Sequence, residues 1–466
     1  MAENSIINTY TTNKKKGFWE KYDLTSPSDP LYKLKIGIWI VFLLWIFEGA
    51  LRKWFLPFLS MPLLIVRDPI VLWLIFMANK KELLKYNIYL TGMTILGAFC
   101  FLMALFFGHG NVFVALYGAR TLLLYFPLIF VIGRVFDQQD VVRLGRMLLV
   151  ISIVMTVLIG LQFYSPQSAW VNRGVGGDEA GAGFGGALGY FRPPGFFSFT
   201  NGTTCFYSLV APFILYFWLN PTLINRTILI LATVSLIAAI PLSISRGLSL
   251  QVGVSVFFLL IAVVKKPKYF IQIILSAFLI VLVFKIFSNV GFFKTAAEAF
   301  TDRFEGANET EGGLVEGVFG ERFLGQLIKA VIGSGDKSFF GAGLGIGTTL
   351  GAQLTGDNSV VLAADYEWMR EIGELGLMGL FVIAIRVGLT FKIAFASYSR
   401  IKSNNILPWL MASLGMIIVV QGQWHQPTAL GFCGIVGGLW LASFRQRSQV
   451  SNSSQPSETV NHANQY

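Results

Sequence analysis

The apolar residues of this chain come in blocks of about 20, the length a helix needs to cross a hydrocarbon layer about 30 Å thick, and the blocks recur from residue 34 to residue 444. Lipid offers backbone amides no partner, so each block has to pair its own and forms a helix. Of the 466 residues only 13% are charged and 54% are hydrophobic, against roughly 25% charged in an ordinary soluble domain. A soluble globular fold is excluded, and the expected class is an all-α polytopic membrane protein.

The breakers between blocks predict about twelve transmembrane helices, at 34–56, 60–78, 88–107, 112–133, 144–164, 201–219, 224–243, 247–264, 270–288, 371–391, 405–422 and 428–444. A net charge of +11 would suggest nucleic acid on a soluble chain. Here Lys14, Lys15, Lys16, Lys80, Lys81, Lys265, Lys266, Lys268, Arg445 and Arg447 lie just outside apolar blocks. That placement follows the positive-inside rule and puts both termini in the cytoplasm, with the bilayer and not nucleic acid as partner. The polar segment 1–33 holds no cleavable signal, so the first helix is expected to insert and stay. Cys100, Cys205 and Cys433 sit far apart inside apolar runs, which predicts buried thiols with neither disulfide nor metal.

Two outward loops are long. The first, 165–200, is too Gly-rich for a regular helix and closes on Pro193 and Pro194. The second, 289–370, is the soluble-looking part of the chain and is rich in acidic residues. Within it ERFLGQLIKAVIGS places Phe323, Leu324, Leu327, Ile328, Val331 and Ile332 on one face of a short amphipathic helix. Spans resume over 371–446, and the Ser-, Asn- and Gln-rich tail 447–466 is expected to be disordered.

Ionisable residues inside spans cost about 2.5–3.5 kcal/mol on insertion scales and face a cavity or a partner. Glu48, Arg52 and Lys53 fall at the outer end of the first span, Arg67 and Asp68 near that of the second, and Arg120 deeper in the fourth. Arg192 precedes the Pro-Pro turn, Arg246 stands at a helix mouth in SISRG, and His425 lies in QGQWHQPT between the last two spans. Glu48–Arg52 and Arg67–Asp68 read equally as internal ion pairs or as site residues. Arg120, Arg192 and Arg246 have no acidic neighbour within a helical turn. A guanidinium keeps its charge when buried and offers a planar fork of donors, so these arginines point to a phosphorylated lipid or anionic glycan. His425 reads either as an interfacial polar residue beside Trp424 or as a ligand contact. Walker, zinc-protease, nucleophile-elbow and dinucleotide motifs are missing from the sequence, so no cofactor and no metal are expected.

Three strings, FRPPGFFSFTNGTTCFYSLVAPF (191–213), PLSISRGLSL (241–250), and FFGAGLGIG (339–347) followed by DYEWMREIGELGLMGL (365–380), occur in an order that resembles the O-antigen ligase and O-antigen polymerase superfamily. The resemblance covers 190–380 and the hydropathy of the whole chain. It implies a bacterial inner-membrane glycosyltransferase with a type-C-like helical fold. Such an enzyme moves a glycan from an undecaprenyl-pyrophosphate-type carrier to a sugar hydroxyl at the periplasmic face, inverting and metal-independent, beside a chain-length regulator or other polysaccharide-assembly proteins. Arg192, Arg246 and Arg322 fall on the family's basic positions; the first two would serve the pyrophosphate or the acceptor, and Arg322 heads the amphipathic helix. The ligases carry a His-Asn pair nine residues before the Glu of a Glu-Leu-Gly-x-x-Gly end, where this chain has Asp365 and Tyr366. That departure favours a polymerase-like member. Asp365 is then the first candidate for the general base and Glu367 the second, with Arg67, Arg120 and His425 in the outward-facing substrate-binding set. The competing class is a lipid-linked glycan flippase or secondary transporter. Twelve spans suit it too, but internal repeats are not visible and the charges gather at the outer mouths, away from the midplane.

Overall fold

The computed structural model describes residues 29–265, 291–311, 339–356, 367–403 and 405–446, which are mostly helical. Among them eight helices are long and apolar enough to cross a membrane: Tyr32–Phe55, Pro62–Lys80, Ile88–Phe106, Val112–Val135, Gln138–Tyr164, Thr200–Leu219, Arg246–Lys265 and Leu377–Arg400. Three shorter apolar helices, Arg226–Leu242, Leu407–Gln421 and Pro427–Ala442, stand where further full spans are expected. Prolines shorten them, because Pro408 and Pro427 fix the first turns and Pro241 lies at the end of the first, features that mean hydropathy does not register. The expected span 270–288 lies outside the described residues, as do Arg322 with its amphipathic helix and Asp365.

In chain order the helices are α1 (Tyr32–Ala50), α2 (Asp68–Lys80), α3 (Ile88–Phe106), α4 (Val112–Arg120), α5 (Phe126–Val135), α6 (Gln138–Tyr164), α7 (Thr200–Leu219), α8 (Arg226–Leu242), α9 (Arg246–Lys265), α10 (Gly291–Glu311), α11 (Thr349–Thr355), α12 (Glu367–Leu375), α13 (Leu377–Arg400), α14 (Leu407–Gln421) and α15 (Pro427–Ala442). Local sequence sets their starts. Asn87 and Asn111 accept the first free amides of α3 and α4, and Asp137 with Asp140 forms a reciprocal cap on α6. Two wide π-helical turns interrupt the apolar runs, Leu51–Phe55 after α1 and Thr121–Tyr125 between α4 and α5. Such turns re-aim side chains and recur at functional sites; Arg52 and Lys53 sit in the first and Arg120 precedes the second.

Packing follows from small residues and aromatics. Gly437 and Gly438 let α15 press against Ile129 and Ile132 of α5, where a Cβ would collide. Trp45 stacks on Phe432 with ring centroids 5.2 Å apart, joining α1 to α15. Leu72, Phe76, Ile95, Val154, Val157, Phe391 and Phe395 remain exposed around the outside, an apolar surface that suits lipid. One end of the bundle carries Lys35 between Asp29 and Asp140, at 2.7 and 2.6 Å, and Arg445 donating to the Phe136 carbonyl. At the opposite end the 165–199 loop folds as a small antiparallel hairpin, Phe184–Gly185 against Phe191–Arg192, ahead of the Pro-Pro turn into α7.

Candidate functional site

Charges far apart in sequence pair across helices at the hairpin end. Arg67 Nε lies 3.0 Å from Glu48 Oε2, closer than Arg52 at 3.5 Å. Asp68 pairs with Arg120, Nε to Oδ2 at 2.6 Å, and accepts from the Tyr125 hydroxyl at 2.9 Å. The expected Arg67–Asp68 pair is therefore corrected: consecutive residues do not face each other on a helix, and each finds its partner on a neighbouring element. Arg52 donates to the Ser60 carbonyl and Ser198 Oγ, and Lys53 to the Gly195 carbonyl at 2.7 Å, which fastens the end of α1 to the Pro-Pro turn.

Arg120 is committed to Asp68 and lies 4.4 Å over the Tyr117 ring. Expected to line one cavity with Arg192 and Arg246, it is held by a carboxylate that comes from 52 residues away. Arg120→Met should leave Asp68, a half-buried side chain 16% exposed, without its cation, a loss of about 1–3 kcal/mol. Thermal unfolding in detergent reads this as a large drop in Tm.

The helix α12 precedes the Leu377–Arg400 span and carries Glu367, Arg370, Glu371 and Glu374, all buried. Spacings of three and four put them on one face. Arg370 Nη2 lies 2.6 Å from Glu367 Oε1, and its Nη1 2.6 Å from Glu374 Oε2. Arg386 of α13, with no exposed surface, pairs with Glu371 and lies 4.4 Å over the Trp424 ring. Glu374 also accepts the Gly347 amide at 2.8 Å, drawing the Gly-rich run onto α12. Within that run Gly345 has φ +95°, and a Cβ there would overlap the Val114 carbonyl oxygen. Gly345→Ala should therefore cost about 2 kcal/mol or more, checked by Tm and by the yield of folded protein.

His425 Nδ1 lies 2.7 Å from Glu367 Oε2. Burial alone would raise the Glu367 pKa, but the Arg370 charge and then His425 outweigh it and hold the carboxyl well below the usual carboxylate range. Of the two base candidates, Asp365 lies outside the described residues, and Glu367 is an ionised acceptor with both oxygens occupied.

Arg192 and Arg246 are brought together. Arg192 closes the hairpin, Arg246 opens α9, and Arg303 of α10 donates to the Gly186 carbonyl at 2.9 Å. Burial, then the charges of Arg303 and Arg246, push the Arg192 guanidinium down to about 10. Arg192 Nε is buried with no hydrogen-bond partner among the described residues. Sequence reasoning missed Arg303, which lies in a polar stretch where a further charge is unremarkable. It also missed Arg370, Glu371, Glu374 and Arg386, although ionisable residues at 367, 370, 371 and 374 directly before an apolar span were a readable signal.

Several side chains of the bundle converge on the turn 422–428, among them Glu367 at His425 and Arg386 over Trp424. Arg67 Nη2 donates to the Pro427 carbonyl at 2.7 Å, Trp45 Nε1 to Thr428 at 3.0 Å, and Thr121 Oγ1 to Trp424 at 3.4 Å. Asn201, in the first turn of α7, donates to Gln423 Oε1 at 2.7 Å and Gln426 Oε1 at 3.2 Å. Three residues along, Thr204 Oγ1 meets Ser245 Oγ at 3.0 Å, beside Arg246. No family model matches the chain, and no curated protein matches it in sequence.

Proposed function

We propose that the protein is a membrane glycosyltransferase that transfers or polymerises glycan from an undecaprenyl-pyrophosphate-type carrier onto a sugar hydroxyl at the periplasmic face of the inner membrane. The observation that carries this reading is the gathering of Arg192, Arg246 and Arg303 beside one end of the bundle, near enough for the other two to disfavour the charge on Arg192. A diphosphate offsets that repulsion, and each of its oxygens can take a fork of donors. Negative charge grows on the pyrophosphate as the glycosidic C–O bond breaks, so fixed guanidinium groups favour the transition state over the ground state. One base on the acceptor hydroxyl then suffices for direct displacement with inversion, and no metal is needed. Asp365 and Tyr366, in place of the ligases' His-Asn pair, favour a polymerase-like enzyme. Both termini are assigned to the cytoplasm, because Lys80, Lys265, Arg400 and Arg445 lie at the ends of their elements away from this site. The donor, the acceptor and a chain-length regulator are the expected partners.

Deleting the gene and analysing the lipid-linked glycans tests the reading. Accumulated single repeat units mark a lost polymerase and long unligated chains a lost ligase. An unchanged pool would contradict it.

A further inference from the structure

We infer that His425 is the proton acceptor for the acceptor hydroxyl, with Glu367 as its positioning residue. The inference rests on the glycosyltransferase reading above. A carboxylate can only accept, so the 2.7 Å contact with Glu367 Oε2 requires the proton of a neutral imidazole to sit on Nδ1, which leaves the lone pair on Nε2. Nε2 has no hydrogen-bond partner among the described residues. The two sides of the pair differ in exposure: the His425 side chain is 20% exposed and that of Glu367 2%. The imidazole is thus anchored through Nδ1 to an interior carboxylate while its own side chain stays partly exposed.

Glu367 is itself held. Arg370 contacts it through Nη2 at 2.6 Å and through Nε at 3.4 Å, and the same arginine grips Glu374 one turn on. With Oε1 on Arg370 and Oε2 on His425, the carboxylate has neither a free oxygen nor a reason to take a proton. Its remaining role is to fix the imidazole's tautomer and orientation and to stabilise the imidazolium when it forms.

The position of the pair suits the reaction. Asn201 and Thr204 share a face of α7, about 5–6 Å apart. The first contacts Gln423 and Gln426 on either side of His425, and the second contacts Ser245 beside Arg246. The histidine turn and the arginine turn therefore approach the same face of one helix.

In the step, the hydroxyl oxygen forms a bond to the anomeric carbon while the bond from that carbon to the pyrophosphate oxygen breaks. The electron pair of the broken bond leaves with the pyrophosphate, beside the arginines. The hydroxyl proton moves to His425 Nε2 and is later released to water.

The test uses full-length protein in liposomes, with lipid-linked glycan extracted from the deletion strain as donor. His425→Gln should lower turnover by about a hundredfold or more with donor KM little changed. Free imidazole should restore part of the turnover of His425→Ala and none of that of Arg192→Met. Glu367→Gln keeps an acceptor for Nδ1–H but no charge for the imidazolium, so kcat should fall at constant donor KM; a purely structural Glu367 would instead reduce folded protein and both constants together. Should neither His425 variant fold, wild-type protein carbethoxylated on all 3 histidines serves: loss of transfer, prevented by bound donor, is expected, and full activity after modification would overturn the inference. Turnover of His425→Gln within about threefold of wild type would overturn it too, while leaving the glycosyltransferase reading intact. Absence of transfer by the wild-type protein would overturn the reading itself.

Discussion

Arg370→Met should abolish the folded protein. Its guanidinium bridges two carboxylates, Glu367 and Glu374, each at 2.6 Å, and all three side chains are 5% exposed or less. Removing the cation leaves two buried negative charges beside a third, Glu371, whose partner Arg386 balances only one of them. Breaking a buried pair costs about 3–5 kcal/mol, and here two are broken at once, against a total stability of about 5–15 kcal/mol. The loss extends to the Gly-rich run, because Glu374 also holds the Gly347 amide. Arg370→Lys should recover only part, since a single ammonium does not reproduce a fork that spans two carboxylates. Adding Glu367→Gln and Glu374→Gln to Arg370→Met should restore some folded protein by removing the uncompensated charge. Size-exclusion profiles and Tm in detergent check each step, and a single variant melting within a few degrees of wild type would show that the network contributes little.

The second large effect separates activity from stability. Arg192→Met and Arg246→Met should each lower transfer by about a hundredfold to a thousandfold, the range seen when one preorganised donor to a developing anion is removed. The lysine variants should lose about tenfold or more, as a point charge replaces a bidentate fork. Arg192→Met should at the same time leave Tm unchanged or raise it. Burial and the charges of Arg303 and Arg246 already disfavour the ionised guanidinium in the folded chain, so removing it relieves repulsion. A pair-breaking variant such as Arg120→Met shows the opposite signature, lower Tm through the half-buried Asp68 left without its cation. Transfer by Arg192→Met at the wild-type rate would assign that arginine to the hairpin alone.

The helical class and most of the helices were legible in the sequence, because a bilayer imposes one length and one polarity on whatever crosses it. Arg192 and Arg246 were legible as a pair because each stands in a turn at a helix mouth, where a charge has no local helical partner. The partner of Arg120 was not legible, because a search within one helical turn cannot see Asp68, which reaches it from another helix. His425 was visible only as a polar residue beside Trp424, since its partner Glu367 lies 58 residues earlier. Pairing between helices depends on which faces meet, and periodicity within a single helix does not carry that information.

Reconstitution of the purified protein with a lipid-linked glycan carrying a radiolabelled sugar tests the central claim most directly. The account expects label to move from the lipid carrier onto an acceptor glycan, with one free lipid pyrophosphate released per sugar chain transferred and loss of both signals in Arg246→Met. Label that crosses the bilayer still attached to its carrier, with no pyrophosphate released, would contradict the account and make the protein a flippase.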